Sequence, residues 1–174
     1  MGAIPPSLDQ WQGAVEPIFL RKLDRPSVWT KAQDGEPEAA IFALFEESGD
    51  TSLWRIQEKH DLRRVAIAIN GGRESLTEKL SFLPILQSEL DKLEIQLSSE
   101  DGDTPCLAAR KLHLNAATQK QHATTLVEML LGENRGLIKC SPGQMKRAKE
   151  QAMNEGCQVV LAREVAECVC TSKA

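Results

Sequence analysis

From Thr51 onward, short apolar runs of strand length alternate with segments whose apolar residues recur at helical spacing. That rhythm constrains the fold more tightly than any other feature of the chain. The runs "TSLWRIQ" and "LRRVAIAIN", separated by "EKHD", read as two strands of a hairpin. In the second run Val65, Ile67 and Ile69 would face one way and Ala66 and Ala68 the other, which predicts a central strand covered on both sides. In "NGGRESLTEKLSFLPILQSEL", Ser75 and Glu78 fit a capping box and Leu76, Leu80, Leu83 and Leu90 fall on one stripe, so a helix is predicted, kinked or split at Pro84. "KLEIQLS" reads as a strand with Leu93, Ile95 and Leu97 inward, and "RKLHLN" as a further short strand. A helix is predicted over 116–131, with Ala123, Leu126, Val127, Leu130 and Leu131 on one face and Gly132 as its stop. "GLIKC" is the next strand, Ser141 and Gln144 form a capping box around Pro142, Gly156 closes that helix, and "CQVVLA" is the last strand.

Strands separated by helices predict a single α/β domain with a mixed, mainly parallel sheet flanked by helices, because parallel neighbours need crossovers that helices supply. Ahead of it, Pro5, Pro6, Pro17, Pro26 and Pro37 with Gly13 and Gly35 argue against a long helix or an interior strand. The division expected is a Pro-rich N-terminal arm, 1–37, and an α/β domain, 38–174. Within the arm, Leu8, Trp11, Val15, Ile18 and Phe19 could line one short helix begun by Ser7. "PEAAIFALFEESG" fits a helix with Pro37 at its first position and Ala40, Ile41, Leu44 and Phe45 on one stripe, and a strand fits it nearly as well.

A chain of 174 residues with 41% hydrophobic and 26% charged residues can bury one full core. The net charge of −4 argues against a nucleic-acid-binding surface, and the 4% aromatic content with no tyrosine argues against a base-stacking platform. Only Trp11, Trp29 and Trp54 remain as large aromatic anchors. No apolar run reaches the length needed to span a bilayer and the first residues do not resemble an export signal, so a cytoplasmic protein without a membrane partner is expected. The five cysteines, an odd number, fit reduced thiols better than a disulfide framework.

In open parallel sheets, ligands bind beyond the carboxyl ends of the strands, where helix N-termini offer unpaired N–H groups. If the strands run parallel, Asn70, Gly71, Gly72, Arg73, Asp101, Asp103, Cys140 and Ser141 meet along one edge, which makes that edge the expected site. "NGGR" offers a close backbone approach and a guanidinium fork to an anion, although no dinucleotide or P-loop fingerprint is present and paired glycines also simply turn a chain. "SSEDGDTP" carries Glu100, Asp101 and Asp103, oxygen-rich as a hard cation prefers, but it lacks EF-hand spacing, and charge with glycine before Pro105 is ordinary composition for a solvated turn. Cys140 at a helix start could be an activated thiol or an ordinary core residue. Gly143 stands where a resolving cysteine would be needed, and a cysteine hydrolase would need His60, His113 or His122 as its base. Cys157, Cys168 and Cys170 lack the C-x-x-C pair of a zinc site, so neither a metal nor a cofactor is expected. Lys146, Arg147 and Lys149 lie opposite Met145, Ala148 and Ala152, as on an ordinary solvated helix.

The expected function is therefore a non-catalytic interaction or regulatory module that binds a protein partner and self-associates through its arm or a strand edge. The alternative is an enzyme acting on an anionic, phosphorylated small molecule through Arg73, with Cys140, Asp101 or Asp103 doing the chemistry. The second alternative is nucleic-acid binding through Arg63, Arg64 and the 146–149 face.

Overall fold

In the computed structural model, which describes residues 7–44, 50–70, 79–99 and 107–154, the run "LSFLPIL" forms β3 (Leu80–Leu86), buried along its whole length. Its side chains alternate, with Leu80, Phe82 and Leu86 entering one apolar cluster and Leu83 and Ile85 another. Seven successive apolar or small residues suit only a strand covered on both faces. β3 pairs with β1 (Ile18–Lys22) on one side and β6 (Ile138–Cys140) on the other. Beyond β1 lie β2 (Asp50–Ile56), β5 (His113–Ala117) and β4 (Leu97–Ser99), giving the order β4-β5-β2-β1-β3-β6.

Among the described residues every pairing of strands is antiparallel, with one isolated parallel bridge from Ser7 to Lys139, which overturns the expectation of a mainly parallel sheet. Parallel neighbours require a crossover, but a helix between two strands does not require that they be parallel neighbours. Here α1 (Ser27–Gln33) and α2 (Pro37–Leu44) link β1 to an antiparallel neighbour, β2. The remaining helices are α3 (Asp61–Asn70), α4 (Gln87–Lys92), α5 (Leu107–Arg110), α6 (Lys120–Gly132) and α7 (Pro142–Asn154). One face of the sheet is covered by a 3-10 turn at Leu8–Gln10 with α3, α5 and α7, through Leu8, Leu62, Val65, Ala66, Ala109 and Met145. The other carries α1, α2, α4 and α6, through Trp29, Ala40, Leu44, Leu90, Leu126 and Leu130.

Residues expected to form a Pro-rich arm supply β1, the strand between β2 and β3. The prolines do not prevent this because Pro17 and Pro26 flank the strand and none lies within it. The run "LRRVAIAIN", expected to be a strand, is α3. Its apolar residues satisfy both periods at once, since Leu62, Val65, Ala66 and Ile69 also form a helical stripe. Ala66 and Ala68 favour the helix, and Asp61 anchors its start, its carboxylate accepting the Gln57 and Glu58 N–H groups at 3.0 and 2.8 Å. Residues 93–96, expected to extend a strand, instead close α4. Glu94 takes a left-handed conformation (φ 54°), while the Ile95 N–H reaches the Leu90 carbonyl at 3.1 Å and the Glu94 N–H the Asp91 carbonyl at 3.0 Å. That is a Schellman ending, with Ile95 and Leu90 buried in the same cluster.

The expected helix around Pro84 is β3, and the register explains how an inner strand tolerates a proline. The Leu23 N–H donates to Ser81 and the Gln87 N–H to Pro17, so odd-numbered residues of β3 point their backbone groups at β1. Even-numbered ones point toward β6, which pairs Leu80 with Cys140 and Phe82 with Ile138 and goes no further. Among the described residues, Pro84 therefore faces a place where no strand asks for its missing N–H. What lies there is a side-chain network. Arg135 Nη1 donates to the Pro84 carbonyl at 3.4 Å, Glu89 Oε2 accepts the Leu86 N–H at 2.7 Å, and Arg135 Nη2 meets Glu89 Oε1 at 2.5 Å. The same Nη2 also pairs with Glu133.

A second Schellman ending delivers Arg135 to this position. After α6, Asn134 is left-handed (φ 51°), and the Arg135 and Asn134 N–H groups return to the Leu130 and Leu131 carbonyls at 3.0 and 2.9 Å. The Arg135 carbonyl then accepts the buried Trp29 indole N–H at 2.9 Å, tying α1 to the same turn.

Burial raises the Glu89 pKa above its ordinary value of 4.5, against the lowering effect of the Leu86 N–H and of Arg135. A carboxyl raised in the folded state contributes stability that is complete below the unfolded value and is lost as pH rises through the folded one. Two outcomes follow. Arg135→Met, which strands the Glu89 carboxylate, destabilises by about 3–5 kcal/mol at neutral pH, and the loss shrinks as pH falls toward 4.5; urea melts across that range measure it. Glu94→Gly relieves the left-handed strain and stabilises by about 0.5–1 kcal/mol in the same melts.

Candidate functional site

Cys140 ends β6 opposite Leu80 and is 1% exposed, in the cluster that holds Ile138, Met145 and Ala148. Strand alternation turns its side chain, like that of Ile138, toward the face covered by α3 and α7, while the intervening Lys139 is exposed. Ser141 caps α7: its hydroxyl accepts the Gln144 N–H at 3.2 Å and the Gln144 side chain accepts the Ser141 N–H at 2.9 Å. The capping box read from the sequence is present, and it engages the Ser141 hydroxyl and N–H within the fold. Pro142 opens the helix, as its fixed φ and absent N–H suit.

The expected single edge assumed parallel strands, and the antiparallel sheet removes that assumption. β4 and β6 are the two outer strands, about 24 Å apart at ~4.8 Å per strand. By the register β4 runs toward the end of the sheet where β3 finishes, with Ser99 level with the middle of β3, whereas β6 runs the other way and Cys140 lies where β3 begins. Asn70 ends α3 rather than a strand. Gly71, Gly72, Arg73, Asp101 and Asp103 lie outside the described residues, as do Ser75, Glu78, Cys157, Cys168 and Cys170.

The three histidines are not gathered at Cys140. His113 opens β5, four strands from β6, and packs edge-on against Trp54 with ring centroids 5.0 Å apart. His60 follows the end of β2, near the far end of β3 from Cys140. His122 belongs to α6, on the opposite face of the sheet. Among the described residues no group of three or more His, Cys, Asp or Glu side chains is placed to hold a metal ion. None of the described helices is long and apolar enough to cross a membrane.

Two surface features stand apart from the core. On α7, Lys146 and Arg147 are exposed while Met145 and Ala148 face inward, as the helical pattern predicts. On α2, Ala40 and Leu44 are buried, but Phe42 is 65% exposed, with Lys120 Nζ 5.9 Å from its ring centroid. A cation at that distance from an aromatic face is electrostatically favourable. Phe42 is the aromatic of that segment that falls off the stripe of Ala40, Ile41, Leu44 and Phe45, the signal in the sequence that marks it. No family model, curated protein or solved structure matches the chain.

With the other four cysteines replaced by serine, Cys140 should alkylate only as the protein unfolds. A native-state rate close to that of the denatured chain would contradict its burial. Ser141→Ala should lower stability by about 1 kcal/mol, read from the denaturation midpoint, through loss of the α7 cap.

Proposed function

We propose that this protein is a non-catalytic interaction module that binds a protein partner through the outer surface of α2 and the start of α6. The observation that carries this reading is Phe42, an aromatic held 65% exposed on a helix whose other large apolar residues turn inward. Aromatic side chains supply much of the binding energy at protein interfaces, because a large apolar area leaves water at little cost in side-chain freedom. Lys120 beside the ring adds a charge at the rim of that anchor. The burial of Cys140 and the capping role of Ser141 support the same reading, since both groups already serve the fold.

The test is a photo-crosslinking amino acid placed at Phe42 in one variant and at Lys146, on the opposite face, in another. Irradiation of each in its native extract should give a discrete adduct from position 42 that is absent from position 146, with the partner's mass read by mass spectrometry. An adduct of twice the chain mass identifies a second copy as the partner. Crosslinking at 146 alone, or to nucleic acid, contradicts the proposal.

A further inference from the structure

We draw no further inference here: the strongest candidate, the buried Glu89–Arg135 pair with the exposed Glu133 beside it, between α4, the end of α6 and the far half of β3, is accounted for by its part in closing the sheet, and nothing in the structure shows a ligand, a partner or a second arrangement for it.

Discussion

Among the described residues the inner strand β3 is paired along most of its length on one side only, and the Glu89–Arg135 pair finishes the other. β6 covers Leu80 to Phe82, which leaves the Pro84 carbonyl and the Leu86 N–H facing a buried space without a strand. A buried N–H without an acceptor costs about 1–3 kcal/mol. The Glu89 carboxylate meets that need, and Arg135 neutralises the carboxylate while capping the Pro84 carbonyl. A buried ion pair is by itself a weak source of stability, because desolvation offsets most of its Coulombic gain. Its value here is geometric: apolar replacements could fill the space but could not accept the Leu86 hydrogen bond.

Much else converges on that pair. α4 begins directly after β3 so that Glu89, one turn on, can reach back to Leu86. α6 ends in a left-handed Asn134 so that Arg135 turns inward, and the same peptide receives the Trp29 indole from α1. Three helices on one face of the sheet are thereby referenced to one strand end. The opposite face is held differently, by continuous apolar contact from Leu62, Val65 and Ala66 of α3 and Met145 of α7.

These relations set what the sequence could disclose. Segments whose local chemistry admits one solution were legible: the Ser141–Gln144 cap with Pro142, the inward stripe of α6 and the apolar positions of β2. Segments with two admissible periods were not. "VAIAI" serves a helical stripe and an alternating strand alike, and its alternation masked the helix-favouring Ala66, Ala68 and Asp61 start. Pro84 read as a kink or break in a helix because the gap opposite it, which lets a strand hold a proline, is a long-range fact of register. The orientation of the sheet was likewise hidden, since helices between strands are compatible with antiparallel neighbours when the chain returns beside itself. The premise that brought Cys140 and the acidic loop to one edge, strand exits all pointing the same way, went with it. Phe42 was legible as an aromatic off its stripe, but its exposure depends on where α2 sits against α6.

The most direct test of this account is native-state hydrogen exchange at the Leu86 amide, with the Leu23 amide, which bonds to the Ser81 carbonyl of the regular ladder, as internal reference. If the Glu89 carboxylate, held by Arg135, stands in for a strand at this position, Leu86 exchanges as slowly as Leu23. Exchange of Leu86 at the rate of an open amide, with Leu23 still protected, would mean that the end of β3 is unsealed and that the pair does not organise the sheet.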